Sequence, residues 1–328
     1  MNARVTITGL ATLSALALAA CTRDKGPAGP RTLIRADQVS DGPPVFGPWS
    51  APVNLGPVVN SVYDDLLPEI SRDGLSLYFR SDRPGGFGGA DIWVSQRTSV
   101  NAAWGPPQNL GVNVNTIGVD QSPGLSPDGH RLFFDSDRPG GCGGRDLYVS
   151  RRQDARDDLG WEPAVNLGCT INTPVRESGP NYFEDDRTGA ATLYFVREPG
   201  ELGGADIYAS SVGEDGTFGP GILVSEVSSP YTDRRPYVRR DGLEMFISSN
   251  RPGGLGGADL WVSTRATTQD VWSTPVNLGP PINTAFDDGT AAVSADGTTL
   301  YFYSNRPGGL GGQVFGADLY VSTRQRLK

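Results

Sequence analysis

Five carboxylates recur at matching points of the chain: Asp65, Asp120, Glu177, Asp233 and Asp288, spaced by about 55 residues. Brought to one place, such groups raise one another's pKa by like-charge repulsion, or hold a cation such as calcium. A second reading is structural: each carboxylate caps backbone N–H groups or pairs with an arginine such as Arg83, Arg138, Arg251 or Arg306. The structural reading is the stronger, because a residue present in every copy of a repeat usually serves the repeat. The third copy supports it, with Glu in place of Asp and Arg197-Glu198 where the others carry Asp-Arg or Asn-Arg.

Departures from the repeat are better ligand candidates. Near the recurring carboxylates these are Glu69, Asn181, Arg234, Arg235 and Tyr237, with Phe315 in a four-residue insertion, Gln313-Val314-Phe315-Gly316. Much familiar chemistry is missing. His130 is the only histidine, and no HExxH, paired CxxC or Walker-type loop is present, so a zinc site and nucleotide cofactors are not expected. No cofactor is expected beyond a structural cation such as calcium. Cys142 and Cys169 sit in or just after the second copy; an oxidising compartment permits a disulfide between them, and geometry decides it.

These residues are positioned by a plain internal repeat. The segment SDRPGGFGGADIWVSQR from Ser81 returns from Ser136, Ser249 and Ser304, and more weakly from Val196. Upstream of each strong copy stands an Asp-Gly turn: Asp73-Gly74, Asp128-Gly129, Asp241-Gly242 and Asp296-Gly297. Asp-Gly between apolar runs predicts a hairpin, because that turn needs positive φ. Alternation such as Leu75-Leu77-Phe79 places apolar side chains on one face of the following strand. Trp49, Trp104, Trp161, Phe218 and Trp272 each open a further short strand. The unit is therefore four antiparallel strands, here named A to D, and no segment carries a useful amphipathic helix.

Five such units predict an all-β fold, a single five-bladed β-propeller. The last unit stops at strand C, while a spare strand D spans 49–55, so this N-terminal strand is expected to complete the last blade and close the ring. A closed ring is expected to be monomeric. In a propeller the D–A and B–C connections share one face around the channel. The variable hairpin tips there, Phe87, Cys142, Leu202, Leu255 and Leu310, are expected to tuck against neighbouring blades; exposed together, they would form a docking rim.

The chain has 44 glycines and 26 prolines in 328 residues, and their strict spacing reads as turns rather than disorder. A formal net charge of -9 argues against nucleic acid as a partner. Residues 1–20 read as an export signal too short to span a bilayer. They close in Leu18-Ala19-Ala20-Cys21, which resembles the lipobox of bacterial lipoproteins. That resemblance implies cleavage before Cys21 and its lipidation, so that the membrane is met only through the lipid anchor. Thr22 rather than Asp after the cysteine favours the outer membrane. Residues 21–48 then read as the lipidated cysteine and a flexible tether, and 49–328 as the propeller.

Ser126-Pro127-Asp128-Gly129 followed by Leu132-Phe133-Phe134-Asp135-Ser136-Asp137-Arg138-Pro139-Gly140-Gly141 resembles the TolB-type, WD40-like β-propeller repeat. The resemblance covers about 64–328. It implies an envelope protein that works in protein assemblies and identifies no ligand. The expected function is accordingly a non-catalytic envelope lipoprotein, binding a protein partner or an envelope glycan through the channel face. The alternative is a glycoside hydrolase-like enzyme using inner-strand carboxylates, with Glu69, Glu177 and Asp65 as candidates. A ring of equivalent acids argues against catalysis, which needs carboxylates in unlike environments.

Overall fold

The computed structural model describes residues 44–311 and 316–327. The expected signal peptide, Cys21, most of the tether and Phe315 lie outside them. No helix among the described residues is long and apolar enough to cross a membrane.

Five four-stranded antiparallel sheets form the blades. The inner strands A are Asp65–Ile70, Asp120–Leu125, Arg176–Glu184, Asp233–Val238 and Asp288–Val293. Strands B and C follow in each blade, as Ser76–Ser81 and Asp91–Gln96 do in the first. The outer strands D are only two residues long, among them Gln108–Asn109 and Ile222–Leu223. The last blade borrows its strand D from the start of the chain: Val53–Asn54 pairs with Asp318–Thr323, Val53 opposite Val321. The ring is closed as the repeat register predicts.

The folded chain starts before the expected boundary at residue 49. Val45–Phe46 pairs antiparallel with Arg326–Leu327, forming a small two-stranded clasp outside the last blade. Its sequence signal is a single Val-Phe pair among prolines and glycines, too short to register as periodic.

The one-face alternation read from the sequence is also incomplete. Leu77, Tyr78 and Phe79 are all buried. Leu77 and Phe79 pack with Ala292, Tyr301 and Leu319 of the last blade, whereas Tyr78 packs with Leu125, Leu132 and Phe134 of the second. Each blade is sandwiched between two others, so both faces of its middle strands are core.

Adjacent blades are stitched at the start of each inner strand. The amides of Asp65, Asp120, Glu177, Asp233 and Asp288 donate to the carbonyls of Ala317, Ala90, Arg145, Ala205 and Ala258, at 2.7–3.1 Å. This approach explains one glycine of the hairpin motif. A Cβ on Gly88 would stand 2.2 Å from the carbonyl oxygen of Gly118 in the next blade. The hairpin tips themselves do not tuck in: Phe87, Leu202, Leu255 and Leu310 are exposed. Cys142 and Cys169 form a disulfide, with Cα atoms 5.6 Å apart.

Candidate active site

Every inner strand breaks two residues after its recurring carboxylate. Leu67, Ser122, Gly179, Arg235 and Thr290 all have φ between 52° and 63°, and the ladder to strand B shifts register around each of them. Four are non-glycine residues held in the left-handed region, a recurrent β-bulge. The next residue is Pro68, Pro123, Pro180 or Pro236, and Ala291 in the last blade. Proline fits here because the bulge needs no ladder N–H at that point. Above the bulges lies an axial cavity of about 590 Å³, on the face where the D–A and B–C connections gather. Below them the channel narrows to about 10 Å³ between the prolines, beside Glu69, Arg235 and Tyr237. It reopens on the opposite face as a cleft of about 70 Å³.

The five recurring carboxylates lie outside this channel's chemistry. Asp65, Asp120, Glu177, Asp233 and Asp288 are fully buried and ion-paired: Arg83–Asp65 at 2.5 Å, Arg138–Asp120 at 2.6 Å, Arg197–Glu177 at 3.0 Å, Arg251–Asp233 at 2.5 Å and Arg306–Asp288 at 2.7 Å. Each also accepts a hydroxyl from a residue four positions earlier, as Ser61 does for Asp65 at 2.9 Å. The third blade keeps the pair by a double change. Arg197 stands directly across the ladder from Glu177, rather than in the hairpin, and the longer carboxylate reaches its Nε. No group of three or more His, Cys, Asp or Glu among the described residues is arranged to hold a metal ion. Asp65 and Glu177, two of the three hydrolase candidates, are thereby committed to arginines.

Of the remaining candidates, Glu69, Asn181 and Tyr237 occupy the same strand position and tie one inner strand to the next. Leu125 N–H donates to Glu69 Oε1 at 3.1 Å, Val238 N–H donates to Asn181 Oδ1 at 2.9 Å, and Tyr237 O–H donates to the Val293 carbonyl at 2.7 Å. Glu69 differs from the other two in being titratable and almost sealed. Burial pushes its carboxyl up to about 8, against the opposing pull of the Leu125 amide and the Arg235 guanidinium. Arg234 and Arg235 line the large cavity. Arg234 reaches Glu198 at 2.6 Å. Burial brings Arg235 down to about 10, while Asp135, Glu69 and Tyr303 favour its charged form.

Asp135, Arg80, Arg145 and Tyr303 are site residues that the sequence reading missed. Asp135 is fully buried at the end of strand B, Arg131–Ser136. Its Oδ1 accepts the Gly179 amide at 3.0 Å; its Oδ2 lies 3.6 Å from Arg145 and accepts no hydrogen bond. Arg80 and Tyr303 line the cavity, and burial pushes the Tyr303 phenol up to about 12. A signal for all four exists. The strand B residue just before the ladder partner of the recurring carboxylate runs Arg80, Asp135, Val196, Ser248 and Tyr303, as variable as any position near the axis. Arg145 stands where the other hairpins have Ala90, Ala205, Ala258 and Ala317.

No protein-family model matches the chain, and no curated protein matches it. Solved structures do. A thermostable family-43 glycoside hydrolase aligns with a TM-score of 0.55 at 13% identity, over 84% of this chain and 93% of that one. The α-L-arabinofuranosidase from Lactobacillus brevis aligns at 0.53 and 17% identity, over 84% and 94%. The catalytic domain of the Coprinopsis cinerea GH62 α-L-arabinofuranosidase aligns at 0.52 and 13%, over 86% and 98%. At such identities the likeness establishes the propeller fold. It does not extend to a TolB-type identity. The expectation of a non-catalytic binding module is not the one these neighbours favour: they are glycoside hydrolases, the class of the alternative reading. Nor does a ring of equivalent acids now bear on the question of catalysis. The equivalent acids are neutralised by arginines, and Glu69 and Asp135 stand apart from them in unlike surroundings.

Proposed function

We propose that the chain is a glycoside hydrolase-like enzyme acting in the axial channel, with Glu69 as proton donor and Asp135 as the second carboxylate. The observation that carries this reading is the contrast between the two acids. Glu69, with its carboxyl pushed up to about 8, holds a proton at neutral pH, the state a general acid requires. Asp135 lies against the Arg145 guanidinium with one oxygen free of hydrogen bonds. Arg235 feels both carboxylates and sits between the cavity and the throat. In the proposed step the glycosidic C–O bond breaks as its oxygen takes the Glu69 proton. Water then adds to the sugar carbon and passes its proton to Asp135. The leaving oxygen must reach the throat beside Arg235. A cavity of about 590 Å³ accommodates a sugar unit.

The test is turnover of a panel of aryl glycosides and plant and bacterial polysaccharides by the purified protein. Glu69→Gln and Asp135→Asn are each expected to lower kcat at least about 100-fold while melting as folded proteins. Absence of turnover across the panel, or unchanged rates in both variants, overturns the reading.

We also propose that the enzyme is exported and lipid-anchored at Cys21 in a bacterial envelope, at the outer membrane. The support is the lipobox-like Leu18-Ala19-Ala20-Cys21 and the resemblance of the repeats to TolB-type propellers. Metabolic labelling with a palmitate analogue, lost in Cys21→Ala, is the expected result; equal labelling of both proteins overturns it.

A further inference from the structure

The arginines around the axial cavity are the least explained charges in the molecule. Arg80, Arg234 and Arg235 line it, and Arg145 lies close enough to Arg80 for the two guanidinium groups to repel. Arg80 Nε and Nη1, Arg145 Nε, Arg235 Nη1 and Thr290 Oγ1 are buried without a hydrogen-bond partner among the described residues. A buried guanidinium with idle N–H groups costs stability in a chain that stitches its other arginines so completely. Arg80 and Arg235 have no carboxylate within 4.0 Å among the described residues, whereas Arg83, Arg138, Arg197, Arg251 and Arg306 each have one.

The acids near this cluster leave Arg80 and Arg235 without a paired carboxylate among the described residues: Arg145 lies 3.6 Å from Asp135 and 3.9 Å from Asp137, and the other acids are held mainly by backbone amides. Asp82, Asp137 and Asp287 accept the backbone amides of Asp64, Val119 and Ala258. Asp64 accepts that of Gly316 and Asp135 that of Gly179. Glu198 is shared by Arg176 and Arg234. Comparison between blades shows that the cluster is specific to this cavity. Arg80, Arg145, Arg234 and Arg235 come from three blades, and no other blade has arginine at the corresponding position. Such departures from the repeat are not needed by the other blades, yet these gather around one cavity.

We propose that the axial cavity takes an anionic sugar, a glycan unit bearing a carboxylate, with the Arg80 and Arg235 guanidinium groups receiving that carboxylate and Arg145 adding positive charge behind Arg80. The inference rests on the reading of the cavity as a sugar site and names its substrate class. A guanidinium presents paired N–H groups to a carboxylate in a planar fork, and the pair strengthens when desolvated. Thr290 supplies a hydroxyl beside them for a ring oxygen or hydroxyl.

The experiment is calorimetric titration of the full folded domain with trigalacturonate, triglucuronate and trimannuronate, each against its methyl-esterified counterpart, with a sulfated disaccharide as a further arm. At least one uronate is expected to bind ten-fold or more tightly than its ester, with affinity falling as salt rises. Arg80→Gln should remove that preference, and Arg145→Ala, which restores the residue of the other blades, should weaken it. Esters binding as tightly as acids, no binding by any uronate, or preference for sulfate alone would overturn the proposal. Hydrolysis of neutral glycosides only would retain the enzyme and reject the anionic substrate. Uronate binding without turnover would retain the anionic site and reject the enzyme.

Discussion

Arg324 holds its guanidinium carbon 3.7 Å from the ring centre of Phe46, and 4.4 Å from that of Trp49. One cation from the end of the chain is thus stacked on two aromatic rings from its folded beginning. The same arginine pairs with Glu244 at 2.5 Å and donates from Nε to the Gly297 carbonyl at 2.8 Å. Three other blades repeat the motif internally, with Arg97, Arg152 and Arg265 over Trp104, Trp161 and Trp272.

Ring closure therefore depends on residues 45–55. A chain starting at residue 44 is expected to melt like the longest folded form, and a chain starting at residue 58 to melt far lower or not fold. Phe46→Ala should cost roughly 1–2 kcal/mol through lost ring contacts and cation–π attraction. Urea denaturation of these proteins measures this, and equal midpoints for the chains starting at 44 and at 58 would show that closure does not depend on these residues.

Glu69 gives stability a pH dependence of definite sign. Its folded carboxyl titrates near 8, above the ordinary value of 4.5. Between those values the native state keeps a proton that the unfolded chain has released, so stability falls as pH rises from about 4.5 to about 8. Glu69→Gln retains an oxygen for the Leu125 amide and has nothing to titrate. It should be the more stable protein above neutral pH, by on the order of a few kcal/mol, with the advantage vanishing near pH 4. Parallel melting curves from pH 4 to 9 would show instead that Glu69 titrates normally.

The paired carboxylates make the opposite kind of prediction. Arg83→Ala leaves Asp65 buried beside no cation, and should cost about 3–5 kcal/mol. The double variant Arg83→Ala with Asp65→Asn should recover part of that loss. A double-mutant cycle in guanidinium chloride measures the coupling, and additive losses would mean that the pair contributes little.

The candidate site was only half legible in the sequence. Glu69, Asn181, Arg234, Arg235 and Tyr237 stood out because they break a repeat at positions near the axis. Asp135 and Arg80 break it equally, but they lie on strand B beside the motif that advertises the repeat: Asp135 falls inside the TolB-type pattern and Arg80 immediately precedes the SDRPGG segment. Arg145 was hidden in the same way, one residue before the strand C aspartate.

What the sequence determined by itself is whatever local chemistry repeats. The Asp-Gly turns, the Gly-rich hairpins, the Asp that opens each strand C and the spare strand at Val53–Asn54 specify four strands, five blades and the closure. These follow from positive-φ requirements and strand alternation over a few neighbouring residues. Only the tertiary structure decided the chemistry at the axis. A ring brings equivalent positions of distant blades together, so the pairing of Asp65 with Arg83, the sealing of Glu69 under Leu125 and the meeting of Arg80, Arg145 and Arg235 depend on neighbours far away in the chain. Burial and partner, rather than residue type, then settle which acid is neutralised, which keeps its proton and which cations are left to meet a ligand.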